Sequence, residues 1–307
     1  MLFCGVRAYE SNISDESDGR RVLTRRRVLA GGGGVLGVLG GGAWYVQRGL
    51  QGDDGDYEAP AQYPILSTRG AFDADGDVRP DAEGSRPTRE GDWSVVDADA
   101  DALVVYVHGL NAPEEEALNQ AYTTRTALRN AGVRHPVVGY SWDSDREWAP
   151  AKRTAEANGP ALADWLAQWA TEDGRPVHVV AHSLGARVTC ECLRALAADG
   201  RTDALASVSL LGGAIPRDSV ETGAQYGDAI ERATPQFTNF YSGKDNVLGW
   251  LYRASDGTNA VGHGGIAAPD RAPSTYEDVD VTDRVNDHYS YYEPGEGCAD
   301  AVASRLP

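Results

Sequence analysis

Lysine is nearly absent from this chain: Lys152 and Lys244 are the only two among 307 residues. Arginine supplies the remaining positive charge, and 46 acidic groups outweigh 28 basic ones for a formal net charge of −18. A surface so poor in cations repels nucleic acid and anionic membranes, so no nucleic-acid partner is expected. Self-repulsion of this kind is relieved by salt, because the Debye length shrinks to about 3 Å at 1 M. The composition therefore predicts a protein suited to high ionic strength. Aspartate-rich stretches such as Asp97 to Asp101 then form solvated surface rather than a binding tail.

Cysteine is equally scarce. Cys4, Cys190, Cys192 and Cys298 are too few for a disulfide framework in a chain this long. Cys190 and Cys192 fall two apart in an expected helix and point to different faces, which suits buried thiols better than a zinc pair or a bridge. There is no His-Glu-x-x-His and no paired-cysteine ligand set. Gly212-Gly213 lacks the spacing of a phosphate cradle, and the run Gly31 to Gly34 belongs to an N-terminal apolar stretch. Neither a metal nor a dinucleotide cofactor is expected.

With 41% hydrophobic residues the chain has ample material for a core, which excludes wholesale disorder. Its first part reads as an address. Paired arginines in Thr24-Arg25-Arg26-Arg27 stand directly before the apolar, Gly-rich stretch Val28 to Val46, the layout of a twin-arginine export signal. The expected partner is the twin-arginine machinery, and the expected location is outside the cytoplasm. The stretch is also just long enough, at about 20 residues, to remain as a membrane anchor. Removing residues 1–46 leaves 22 basic against 42 acidic groups, net −20. Residues 47–61 form an acidic Gly/Pro linker by composition, and residues 62–307 form one catalytic domain.

That domain alternates. Short β-branched runs at 103–107, 137–142, 177–181, 206–211, 237–241 and 276–281 read as strands. Between them, 114–131, 149–170 and 184–198 read as helices, with Asn111 near the start of the first and Gly200 ending the last. A final helical stretch covers 297–305. Leu162, Trp165, Leu166 and Trp169 share one helix face and predict a core stripe. Strand and helix in repetition imply an α/β fold with a mostly parallel, twisted sheet covered by helices on both faces.

The most informative stretch is Val177-His178-Val179-Val180-Ala181-His182-Ser183-Leu184-Gly185-Ala186. An apolar strand leads through small-His-Ser-Leu-Gly into a helix, which is how a nucleophile elbow is built. The serine occupies a strained turn, and the residues two before and two after it must be small so that strand and helix can approach. Ala181 and Gly185 meet that need, with Ala where Gly is usual. The turn also puts Ser183 and the N–H of Leu184 at a helix N-terminus, suited to an oxyanion. Upstream, Val104-Val105-Tyr106-Val107-His108-Gly109-Leu110-Asn111 runs from a strand into a His-Gly loop.

These two motifs resemble the α/β-hydrolase superfamily, in particular poorly characterised exported esterase- or lipase-like members from halophilic archaea. The resemblance implies Ser183 as nucleophile, the N–H groups of Leu184 and Leu110 as oxyanion donors, and His108 as a structural neighbour. It also implies that the acid and the histidine follow the serine in that order. Asp245 falls in a turn after the strand at 237–241, where a carboxylate can hold a histidine, and Asp218 is the runner-up. Only His263 and His288 lie beyond Asp245. His288 follows the last expected strand and is the expected base, whereas His263 sits in the Gly-rich Val261-Gly262-His263-Gly264-Gly265 and reads as a loop former. His135 and His178 read as structural. Trp142, Trp148, Trp250 and Tyr252 follow expected strands and are candidates for lining an acyl site, although aromatics near strand ends more often belong to the core.

The expected function is hydrolysis of a carboxylic ester, of a small molecule or a lipid, through a Ser-His-Asp triad and an acyl-enzyme. The alternative is a hydrolase-like domain at the cell surface that binds but does not catalyse.

Overall fold

The computed structural model describes residues 57–97 and 100–306. The expected signal at 1–46, Cys4 and most of the expected linker lie outside the described residues.

The described residues open with β1 (Ile65–Ser67), β2 (Thr88–Glu90), the short α1 (Ser94–Asp97) and β3 (Leu103–Val107). There follow α2 (Glu114–Asn130), β4 (Val137–Ser141), α3 (Trp148–Glu172), β5 (Val177–His182), α4 (Gly185–Ala198) and β6 (Ser207–Leu211). The remainder comprises α5 (Gly227–Ala233), β7 (Phe237–Tyr241), a π-helical turn at Val247–Tyr252, α6 (Arg253–Asp256), α7 (Val261–Gly264), β8 (Tyr276–Asp280) and α8 (Ala299–Ala303).

The eight strands form one sheet in the order β2-β1-β4-β3-β5-β6-β7-β8. Only the β1–β2 pair is antiparallel. Alternation within β3 explains the layering. Leu103, Val105 and Val107 join one apolar cluster with α3, α4 and α5, while Val104 and Tyr106 join the other with α2 and α8. A strand buried on both faces reads as a continuous β-branched run, which is why the central strands were visible in sequence. The stripe Leu162, Trp165, Leu166 and Trp169 faces the larger cluster.

Two local expectations need correction. Asn111 does not cap α2: Pro113 stands at that position with no side-chain cap, and Asn111 instead adopts a left-handed backbone (φ 58°) in the loop before it. The long helix also starts at Trp148 and carries Pro160 in its interior. Cys190, Cys192 and Cys298 are free, fully buried thiols.

Candidate active site

The central strand β5 delivers Ser183 to the carboxyl edge of the sheet. Ser183 takes φ 53°, a left-handed conformation that costs a residue with a Cβ about 1–3 kcal/mol. The surrounding backbone holds it there. Its N–H donates to Leu211 O (3.1 Å), and its carbonyl accepts from Ala186 N (3.1 Å) and Ala214 N (2.9 Å). A side chain at Gly185 would collide with the carbonyl oxygens of Val107 and His108, so the start of α4 can press against the end of β3 only with glycine there. A Cβ on Gly109 would lie 2.8 Å from Ser183 Cβ, which brings the His-Gly loop against the serine from the other side.

The loop after β8 returns His288 to this point. Ser183 Oγ lies 2.8 Å from His288 Nε2, and His288 Nδ1 lies 2.7 Å from Asp245 Oδ2. In the neutral state the serine hydroxyl donates to Nε2 and Nδ1–H donates to the carboxylate. Asp245 is completely buried; its Oδ1 accepts the N–H of Leu248 (3.0 Å), and its Oδ2 faces the Tyr291 hydroxyl at 3.4 Å. That hydroxyl also reaches Gly262 O at 3.1 Å. Asp218, the alternative acid, is exposed in the loop after β6.

Neither Leu184 N–H nor Leu110 N–H has a hydrogen-bond acceptor among the described residues. Leu110 lines the cleft beside Ser183, and Leu184 precedes the first turn of α4. Two free donors near one hydroxyl are what a developing oxyanion requires.

Sequence reasoning named His108 as a structural neighbour but missed the contacts that brace these groups. His108 Nε2 accepts the N–H of Trp142 (3.1 Å), and the Trp142 indole N–H donates back to His108 O (3.1 Å). The proton of His108 is therefore on Nδ1, which donates to Gly109 O (2.9 Å). Burial, aided by the nearby Arg69 charge, pushes the His108 pKa down to about 3, so the ring stays neutral and keeps this tautomer. Ser144 completes the clamp, with its Oγ on Ala112 N (3.0 Å) and its carbonyl on Asn111 N (2.9 Å).

The second brace is His182, next to the serine. Its Nε2–H donates to the main-chain carbonyl of His288 (2.7 Å). Burial first, and then the neighbouring His288, hold the His182 pKa well below the ordinary histidine value. The only sequence signals for these braces were the histidine beside the elbow serine and the aromatic run Tyr289, Tyr291, Tyr292 after His288.

Of the four aromatics weighed between acyl-site wall and core, Trp148 lines the cleft. Trp142 is buried against His108, with the rings stacked 5.5 Å apart; Tyr252 is buried beneath Trp148; and Trp250 points to solvent at 71% exposure. Among the described residues no group of three or more His, Cys, Asp or Glu side chains is arranged to hold a metal ion.

A nearly parallel eight-stranded sheet flanked by helices, with a strained serine between its central strand and the next helix, defines the α/β-hydrolase fold. Within that fold the chain belongs to the family described as "Protein of unknown function (DUF726)", which matches residues 107–298. Among curated proteins it is 37% identical over 148 residues to the "Transmembrane and coiled-coil domain-containing protein STS1" of Oryza sativa subsp. japonica, covering 48% of this chain and 21% of that one. It is 33% identical over 150 residues to the "Uncharacterized membrane protein C6F6.13c" of Schizosaccharomyces pombe, covering 48% and 18% respectively. This chain thus matches only about a fifth of the length of these relatives. Among solved structures it is similar to the mature lipase BlEst2 of Bacillus licheniformis, with 19% identity, 64% of this chain and 88% of that one covered, and a TM-score of 0.41. It is also similar to the thermostable carboxylesterase EstE1 from a metagenomic library, with 16% identity, 73% and 84% covered, and a TM-score of 0.43.

Proposed function

We propose that this domain is a serine hydrolase that cleaves a carboxylic ester through an acyl-enzyme. The observation that carries the reading is the unbroken chain from Ser183 Oγ to His288 (2.8 Å) to buried Asp245 (2.7 Å). Ser183 Oγ attacks the ester carbonyl as its proton passes to His288 Nε2, and Asp245 stabilises the resulting imidazolium. The carbonyl oxygen becomes an oxyanion held by the N–H groups of Leu184 and Leu110. The tetrahedral species collapses, the bond to the alcohol breaks, and the alcohol leaves with the proton from His288. Water, deprotonated by the same imidazole, then releases the acid and restores Ser183. The test is a fluorophosphonate probe, which labels only an activated serine. Labelling of the full chain in molar salt, abolished by Ser183→Ala, is expected. A folded protein that resists the probe would favour a binding domain instead.

The reading extends to location. The two relatives carry membrane-protein names, and no helix among the described residues is long and apolar enough to cross a membrane. Arg25 and Arg26 ahead of the Val28 to Val46 stretch support export of the folded domain by the twin-arginine route, with that stretch as signal or anchor. Replacing both arginines with lysine is expected to keep the protein in the cytoplasmic fraction. Unchanged export of that variant would remove the assignment. The acidic surface supports a high-salt setting, in which labelling and folding are lost on dialysis to millimolar salt.

A further inference from the structure

The cleft over Ser183 says what the ester can look like, given that Ser183 is the nucleophile. It is a cleft open to solvent on one side, not an enclosed cavity. The walls are not those of a lipid channel. Beside the apolar Leu110, Trp148 and Val247 stand the buried amide of Gln120, the half-buried Glu116 and the exposed Glu147. A long acyl chain gains about fourfold in binding for each methylene taken from water into an apolar slot. Against carboxylates that gain shrinks, because the chain would strip water from them and return no hydrogen bond; the Gln120 amide already donates to Glu116 Oε1 (2.9 Å) and offers the chain nothing.

The limit is rigid rather than a matter of one rotamer. The Trp148 indole N–H donates to Asp256 Oδ2 (2.7 Å), and its ring packs edge-on against buried Tyr252, centroids 5.7 Å apart. Asp256 is held in turn by Lys152. Val247 follows Asp245 by two residues, in the turn whose Leu248 N–H binds the Asp245 carboxylate. Moving either wall would disturb the bracing of the site itself.

The charge of the cleft is also one-sided. Among the described residues the one Lys or Arg lining it, Arg146, already faces Asp143 at 3.5 Å and donates to Phe72 O at 2.9 Å. Glu116 and Glu147 therefore set the sign near Ser183.

We propose that the substrate carries a short, uncharged acyl group, with Trp148 and Val247 setting its length and Glu116 and Glu147 rejecting anionic acyl groups. Long-chain lipids are excluded by the same walls.

The experiment compares p-nitrophenyl acetate, butyrate, octanoate and hemisuccinate on the full chain in molar salt. The expected result is a fall in kcat/KM of at least tenfold from butyrate to octanoate, and again from butyrate to hemisuccinate. Val247→Ala and Trp148→Phe should raise octanoate relative to butyrate severalfold, and Glu116→Gln with Glu147→Gln should do the same for hemisuccinate. If the Trp148 variant fails to fold, the Val247 variant carries the length test. Octanoate turned over as well as butyrate by the unaltered chain overturns the proposal. That outcome is separable from failure of the parent reading: Ser183-dependent labelling by an ethyl fluorophosphonate would persist. If neither esters nor phosphonates of any length react, the nucleophile assignment falls and the substrate class falls with it.

Discussion

Two histidines follow Asp245 in the chain, and the structure treats them in opposite ways. His288 is wired from three sides: Nε2 to Ser183 after β5, Nδ1 to Asp245 after β7, and its main-chain carbonyl to His182. His263 lies in α7 with its ring against Gly249 and its Nδ1 buried without a partner. What matters around His263 is its backbone: in the same turn the Gly262 carbonyl accepts from Ser242 N and from Tyr291 Oη, and the Val261 carbonyl accepts from Asn239 Nδ2. Burial is common to both residues to different degrees, so it does not distinguish them. A proton carrier needs a fixed donor on one nitrogen and a fixed acceptor on the other, and only His288 has both.

The largest expected effects test that contrast directly. His288→Ala is expected to lower kcat by about four orders of magnitude or more, because only the oxyanion donors and substrate binding remain. Asp245→Asn should cost a similar factor, since an amide favours the wrong imidazole tautomer and does not stabilise its cation. His263→Ala should change kcat less than about threefold, because a packing residue takes no part in proton transfer. Steady-state kinetics on one short ester, with circular dichroism to verify folding, decides the matter. An inactive His263→Ala beside an active His288→Ala would invert the assignment.

How much of this was legible depended on how local the signal was. The central strands showed as apolar β-branched runs, and the elbow could be read because its steric logic lies within five residues, Ala181 to Gly185. β1 and β2 were missed: each has three residues, and β2 is exposed throughout, so neither shows a period. The order acid then histidine singled out Asp245 and His288 by topology. It was silent about the braces, because those contacts join residues far apart in the chain: 34 positions for His108 to Trp142 and 106 for His182 to His288. Aromatic residues near strand ends were legible mainly as core, and Trp142, which closes over His108, and Tyr252 are core, but composition alone does not say which ring, here Trp148, turns into the cleft.

A smaller effect than that of the triad variants concerns His182, which gives His288 the tie that His263 lacks. Its ring is buried between the elbow and the loop of His288, 4.8 Å from the His288 ring and edge-on to Tyr292 at 5.1 Å. Because burial keeps it neutral, one nitrogen carries the proton, and the 2.7 Å contact to a carbonyl requires that to be Nε2. Removing the ring leaves the His288 carbonyl without its donor and lets the loop drift from Ser183. An unsatisfied buried acceptor costs about 1–3 kcal/mol. Even part of that, expressed as lost alignment, makes His182→Ala about tenfold slower in kcat, with KM nearly unchanged because the ring contributes little to substrate binding. His182→Gln retains an N–H donor of similar reach and should recover part of the loss, whereas His182→Leu, similar in bulk but unable to donate, should not. If Leu and Gln behave alike, the ring only fills space. The position of His288 would then rest on its contacts with Asp245 and Ser183.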